Sequence, residues 1–269
     1  MGIWTGVAGA QLMGERVLGR PVGKKVSFLI AGTQKGGTTA LSAYLARHPQ
    51  IFIPAAKEVH FFDNDDYDWV QPDWSLYHQH FKTALAGQCW GEATPITMWW
   101  RPAIDRLWRY NREIKILIIL RNPITRAYSH WNMEYQRGAE TLPFLDALKQ
   151  EVVRCRAALP AQHRVFSYVD RGFYSCQLRE LWRFFPRDQV MVIRQEHLAE
   201  EPADVMLSVE RFLGLKSVPF AGSIQAHQRS YESPIPAAAF ELLRRTFWHE
   251  ICQLQTLLGW DCSDWLEAR

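Results

Sequence analysis

Three stretches of this 269-residue chain carry side chains whose types and spacing could do chemistry. The first is Gly32-Thr33-Gln34-Lys35-Gly36-Gly37-Thr38-Thr39. It falls between the apolar run VSFLIAG and a segment, Thr38–Arg47, in which Leu41, Tyr44 and Leu45 recur at helical spacing. A glycine turn between a strand and a helix aims free backbone N–H groups and the positive helix end at an anion, and its glycines let the backbone come close. A phosphate-like group is the natural occupant. The spacing is not that of a nucleoside triphosphatase. A G-x-x-x-x-G-K-[ST] loop would need lysine where Thr38 stands, whereas Lys35 precedes the glycine pair. Taken alone, such a turn is most often a helix cap with a surface lysine.

The second stretch begins with KILIIL (Lys115–Leu120), which reads as a buried parallel strand, and runs through Arg121-Asn122-Pro123 into a helical pattern ending near Arg137. Arg121 at the strand end and Ser129 on the helix read by themselves as an arginine capping a sheet edge and a serine on a solvated helix face, although a guanidinium fork with a hydroxyl nearby is also chemistry that suits a phosphate. Arg126 in the same segment reads as a surface charge, with a supplementary contact to such a phosphate as the alternative. The third stretch is Lys57-Glu58-Val59-His60-Phe61-Phe62. A carboxylate in aromatic surroundings such as those of Glu58 can have its pKa raised toward neutrality, where acid–base chemistry becomes available to it. His60 is the rival, since an imidazole titrates near neutral pH unaided. Lys57 reads as a solvated neighbour.

These residues need elements to hold them. Strands are expected over 26–32, Ile51–Ile53, Val59–Phe62, Lys115–Leu120 and Gln189–Ile193, with an acidic, aromatic loop over Asp63–Trp74. Helices are expected over Thr38–Arg47, Pro123–Arg137, Phe144–Arg156, Phe173–Phe185, Pro202–Leu213 and Ala237–Leu258. Alternating strands and helices imply an α/β fold, a P-loop-like three-layer domain with a central, mostly parallel sheet flanked by helices. Residues 1–25 read as an N-terminal arm and 26–269 as a single domain. Trp248, Trp260 and Trp265 are placed to pack the last helices or a second copy of the chain.

Composition narrows the class. Hydrophobic residues make up 48% and charged residues 22%, which excludes a disordered chain. The net charge of +3 is too small for a nucleic-acid coat or a polybasic membrane anchor, so any bound anion must be held by local groups. The five cysteines lack the CxxC spacing of a zinc or redox site, and no stretch reaches the roughly 18 apolar residues of a membrane span. The expectation is a cytoplasmic protein without nucleic-acid or membrane partners and without a required metal.

The segments FLIAGTQKGGTTAL, KEVHFFD and ILRNPITRAYSHW, in this order, resemble the signature segments of sulfotransferases that use 3′-phosphoadenosine 5′-phosphosulfate (PAPS). The heparan-sulfate type and its bacterial small-molecule relatives are the nearest in flavour. The resemblance runs from about Val26 to Leu213, and GFYSCQLRELWRFFP and VERFLGL look like that family's later helices. It implies that Gln34, Lys35, Gly36, Gly37, Thr38 and Thr39 surround the 5′-phosphosulfate, with Lys35 neutralising charge on the leaving phosphate. It implies Arg121 and Ser129 as the clamp on the 3′-phosphate, with Arg229 adding a contact. It makes Glu58 the general base, and PAP (3′-phosphoadenosine 5′-phosphate) the spent donor.

Two departures stand out. The heparan branch carries a lysine beside the glutamate where this chain has Ala93 in Gly91-Glu92-Ala93-Thr94-Pro95. The later loop, Ile224–Tyr231 with His227 and Gln228, lacks that branch's cysteine pair. The acidic run Asp63-Asn64-Asp65-Asp66-Tyr67-Asp68-Trp69 would repel a polyanion. The expected acceptor is therefore the hydroxyl or amine of a neutral or cationic small natural product, with Trp99, Trp100, Trp131 and Tyr135 as candidate walls. The rival readings are a P-loop-like kinase needing ATP and magnesium, and a catalytically silent nucleotide-binding protein.

Overall fold

A computed structural model describes residues 23–222 and 233–267. Its strands are β1 (Phe28–Gly32), β2 (Ile51–Phe52), β3 (Cys89–Ala93), β4 (Lys115–Leu120) and β5 (Val190–Arg194). All pair in parallel, in the order β2-β3-β1-β4-β5. The helices are α1 (Thr38–Leu45), α2 (Trp74–His78), α3 (Arg101–Tyr110), α4 (Pro123–Gln136), α5 (Phe144–Ala157), α6 (Tyr174–Phe184), α7 (Gln195–Glu200), α8 (Pro202–Leu213) and α9 (Ala237–Leu258). The expected α/β architecture is what forms.

β1 and β4 are unbroken apolar runs because helices cover both faces of a parallel sheet. Their side chains divide between two cores. Phe28, Ile30, Leu117 and Ile119 pack with Leu41, Leu45 and Val209 from α1 and α8. Leu29, Ile116, Ile118 and Leu120 pack with Leu107, Ala127, Leu178 and Leu243 from α3, α4, α6 and α9. Trp265 is buried in the latter core, Trp260 packs against it, and Trp248 stays exposed.

The chain leaving β1 turns toward β2, whereas the chain leaving β4 turns toward β5 on the opposite side. Neighbouring strands whose connections diverge in this way open a crevice at their carboxyl ends. The glycine turn and Arg121 both sit there.

Several elements differ from expectation. Val59–Phe62 is not a strand: Glu58 and His60 adopt left-handed backbone at φ 63° and 54°, which no continuous strand accommodates. The strand beside β1 is instead Cys89–Ala93, CWGEA, whose glycine and glutamate disguise it. Gly91 is required there, because a Cβ would lie 2.0 Å from the Phe28 ring. Helix α3 was also not legible. Most of the N-terminal arm lies outside the described residues.

Candidate functional site

The turn after β1 is built by backbone. Thr33 N–H donates to Ile119 O (3.0 Å) and Gly36 N–H to Thr33 O (2.8 Å). A Cβ on Gly36 would come within 2.6 Å of Ile119 O, so the turn can hug β4 only as glycine. Gly37 (φ 106°) caps α1 without a side-chain hydrogen bond, which leaves the helix N-terminus to an incoming acceptor. The Gln34 side chain accepts from the guanidinium of buried Arg171, which lies 4.1 Å above the Trp99 ring.

Arg121 joins the two anion motifs. Its Nη1 donates to Lys35 O at 3.3 Å and its Nε to Thr125 Oγ1 at 3.0 Å, which fixes the guanidinium between the glycine turn and α4. Ser129 is buried on the same helix. Arg126 is not a surface charge. It is fully buried, donates to Tyr168 O, and leaves Nε and Nη1 without partners among the described residues. The reason is periodicity, since Arg126 shares with Ala127 and His130 the part of α4 that meets the core. His130 is buried with both ring nitrogens unpartnered among the described residues, and burial, then the nearby arginines and Lys35, push its pKa well down. Burial and Arg126 bring Arg171 down to about 9. The orphaned buried guanidinium N–H groups of Arg126 and the α1 N-terminus without a side-chain cap are each suited to an anion.

Beside the crevice, Glu58, His60 and Asp63 form a chain. His60 Nδ1 lies 2.8 Å from Asp63 Oδ2 and its Nε2 lies 3.4 Å from Glu58 Oε2. Arg164 Nη1 meets the same Asp63 oxygen at 2.6 Å, with its guanidinium 4.1 Å over the Trp100 ring. Bonding to Asp63, then to Glu58, raises His60 to about 9 despite burial. Glu58 does not show the raised pKa expected of it. Burial raises it, but the His60 hydrogen bond and the Lys57 charge outweigh burial and hold the carboxyl below its ordinary value. At neutral pH the chain is carboxylate, imidazolium, carboxylate.

Lys57 is no mere solvated neighbour. Its Nζ donates to Thr39 Oγ1 at 2.6 Å and stands 3.5 Å from Glu58 Oε1, tying the third motif to the first.

Sequence reasoning missed Asp63 as a partner, although its spacing of three from His60 was a signal. It missed Arg164 and Arg171, which no local pattern marks. It also missed Glu92, buried on β3, which accepts from Thr94 Oγ1 (2.7 Å) and Tyr77 Oη (3.2 Å). Burial pushes its pKa up to about 7. Thr94 Oγ1 accepts in turn from His60 N–H at 3.4 Å.

The acidic run is partly spent within the protein. Asp63 pairs with Arg164, and Asp65 pairs with Arg106 at 2.7 Å, while Asp66 and Asp68 remain exposed. Trp99 and Trp100 are buried beneath Arg171 and Arg164, and Trp131 stacks between Tyr128 and the more exposed Tyr135. Ala93 packs in the core with Phe28 and Ile30. Arg229, His227 and Gln228 lie outside the described residues. Among the described residues no cluster could hold a metal ion, and no helix is long and apolar enough to cross a membrane.

The fold is an α/β protein of P-loop-like build, with the glycine turn and Arg121 at the carboxyl ends of neighbouring strands β1 and β4. A profile of the sulfotransferase domain matches residues 25–234, and the chain belongs to that family. It is 30% identical over 190 residues to heparan sulfate glucosamine 3-O-sulfotransferase 3B1 of Mus musculus, covering 71% of this chain and 46% of that protein. It is 31% identical over 190 residues to heparan sulfate glucosamine 3-O-sulfotransferase 6 of Homo sapiens, covering 71% and 52%. The chain thus spans about half the length of the curated relatives it matches. The crystal structure of a sulfotransferase from Alicyclobacillus acidocaldarius superposes with a TM-score of 0.77 at 28% identity, covering 91% of this chain and all of that one.

Proposed function

We propose that this protein transfers a sulfuryl group from PAPS to a hydroxyl or amine of a small-molecule acceptor, with residues 26–269 acting as one catalytic domain. The observation that carries the reading is the meeting of three motifs: Arg121 touches Lys35, and Lys57 links Thr39 to Glu58. When bound, PAPS supplies a sulfur whose bond to the phosphate oxygen breaks as the acceptor attacks.

The protein's share is charge and proton handling. Lys35 and the α1 N-terminus stabilise the charge that gathers on the leaving phosphate. Arg121 and Ser129 hold the other phosphate, the buried charges of Arg126 and Arg171 add positive potential behind them, and Arg229 supplements the clamp. Gln34, fixed by Arg171, shapes the turn, and Gly36, Gly37, Thr38 and Thr39 supply close backbone and hydroxyl donors. Glu58 takes the acceptor's proton. His60 already carries a proton below about pH 9, which supports Glu58 rather than His60 as the base. Asp63 and Arg164 hold the imidazolium in place. No metal ion is needed for this division of work.

The heparan relatives act, by name, on a glucosamine of a polyanion. For this chain we favour a small natural product without strong negative charge, because the exposed Asp66 and Asp68 follow directly on the site's Asp63. All five cysteines are free, which suits a reducing cytoplasm.

The test is calorimetric titration with PAP, and with ATP–magnesium in parallel, on the native protein, Lys35→Ala and Arg121→Ala. The expected result is tight PAP binding that is lost in both variants. Binding of ATP–magnesium alone would overturn the donor assignment and favour a kinase.

A further inference from the structure

Lys57 is a polar residue of the site to which the transfer reaction, as described, gives no task. Its ammonium sits where two parts of the machinery meet. On one side is Thr39, in the first turn of α1, where the helix end and the glycine turn collect anionic charge. On the other is the Glu58 carboxylate at 3.5 Å. A group passing from a donor in the crevice to an acceptor whose proton goes to Glu58 must cross the space between them.

The chemistry of the side chain agrees with this position. An ammonium has three N–H donors. One is committed to Thr39 and one faces Glu58, which leaves one for a ligand. The Lys57 side chain is 43% exposed, so a ligand can reach it, and its four-carbon stem lets the charge follow a moving group. Glu58, whose backbone is left-handed at φ 63°, holds its carboxylate 3.5 Å from the Lys57 ammonium, and strained backbone of this kind is retained where the surroundings impose it.

We propose that Lys57 is a catalytic cation that binds the terminal oxygens of the sulfuryl group during transfer, leaving the phosphates to Lys35, the α1 N-terminus and Arg121. The proposal rests on the reading of the donor as PAPS. In the step, a bond forms between the acceptor's oxygen or nitrogen and sulfur while the bond from sulfur to the phosphate oxygen breaks. That oxygen keeps the electron pair, and Glu58 takes the acceptor's proton. Lys57 exchanges no proton and stabilises the sulfuryl oxygens throughout.

PAPS and PAP differ by the sulfuryl group, so comparing them isolates Lys57 without any acceptor. Both are titrated calorimetrically into the native protein, Lys57→Met, Lys57→Arg and Thr39→Val, with circular dichroism confirming that each variant is folded. Lys57→Met is expected to weaken PAPS about tenfold while PAP stays within about twofold, the size of one charge-assisted hydrogen bond. Lys57→Arg should restore part of the preference for PAPS.

If Lys57 serves only to pin Thr39, Lys57→Met and Thr39→Val will weaken PAP and PAPS by the same factor, and the proposal falls. An unchanged ratio of PAPS to PAP affinity in Lys57→Met overturns it equally. Failure of the native protein to bind either nucleotide overturns the donor reading itself, a distinct outcome.

Discussion

Replacing Asp63 with Asn tests the charge state on which the catalytic reading depends. The Asp63 carboxylate is fully buried, 2.8 Å from His60 Nδ1 and 2.6 Å from Arg164 Nη1, and it is the largest influence holding His60 up at about 9. The displacement from 6.5 to about 9, at about 1.36 kcal/mol per pH unit, amounts to about 3 kcal/mol of preference for the imidazolium. The His60 side chain is 46% exposed, so solvent screening reduces this to roughly 1–2 kcal/mol. Asparagine keeps the shape and removes the charge, so the His60 pKa should fall by at least about one pH unit.

The assay is the pH titration of the His60 ring by nuclear magnetic resonance, alongside thermal unfolding at several pH values. Because the folded pKa of His60 lies above its unfolded value, its contribution to stability is complete below pH 6.5 and fades as pH rises through about 9. The part of the destabilisation in Asp63→Asn that passes through His60 should therefore be present at pH 6 and absent above pH 9. Loss of the Arg164 pair adds a cost that persists across this range, since Asp63 itself titrates below its ordinary value. A His60 pKa that stays near 9 in the variant would refute the reasoning, because the proton would then be held by something other than Asp63.

Two further outcomes follow from the same geometry. Glu58→Gln should lower kcat with PAPS and a competent acceptor by about 100-fold or more while leaving PAP affinity intact, whereas a loss of PAP binding would show that Glu58 is not the base but part of the donor site. Glu92→Gln should flatten the dependence of stability on pH between 4.5 and about 7. A carboxyl raised from 4.5 to about 7 costs the folded state up to about 3 kcal/mol as pH rises through that window, and glutamine mimics its protonated form. Chemical denaturation at pH 5 and pH 8 reads the difference, and an unflattened curve would mean that Glu92 is ionised in the folded protein.

The sequence by itself determined the strand–turn–helix frame and the residues of both motifs. KILIIL and FLIAG are buried on both faces and so read as strands from apolar content alone, and the glycines between β1 and α1 mark the start of a helix. Glu58 and His60 were legible from residue type within a short segment. The conformation of that segment was not. Phe61 and Phe62 are both buried, at 2% and 1%, although they are adjacent, and the left-handed turns at Glu58 and His60 allow it where a strand would send alternate residues to opposite faces.

The rest was decided only by the tertiary structure. Strand β3 carries Gly91 because Phe28 occupies the space beside it, and Glu92 because Tyr77 and Thr94 meet its oxygens, and neither partner is marked by local pattern. Arg126 and Arg171 looked like ordinary charges until helix packing buried them. Arg164 reached Asp63 across 101 residues of chain. Charge state follows the same rule: a carboxylate among aromatics suggests a raised pKa, but the sign at Glu58 is set by His60 and Lys57 at close range. Local sequence fixes which groups are available, whereas their protonation depends on distances and burial that only the folded chain creates.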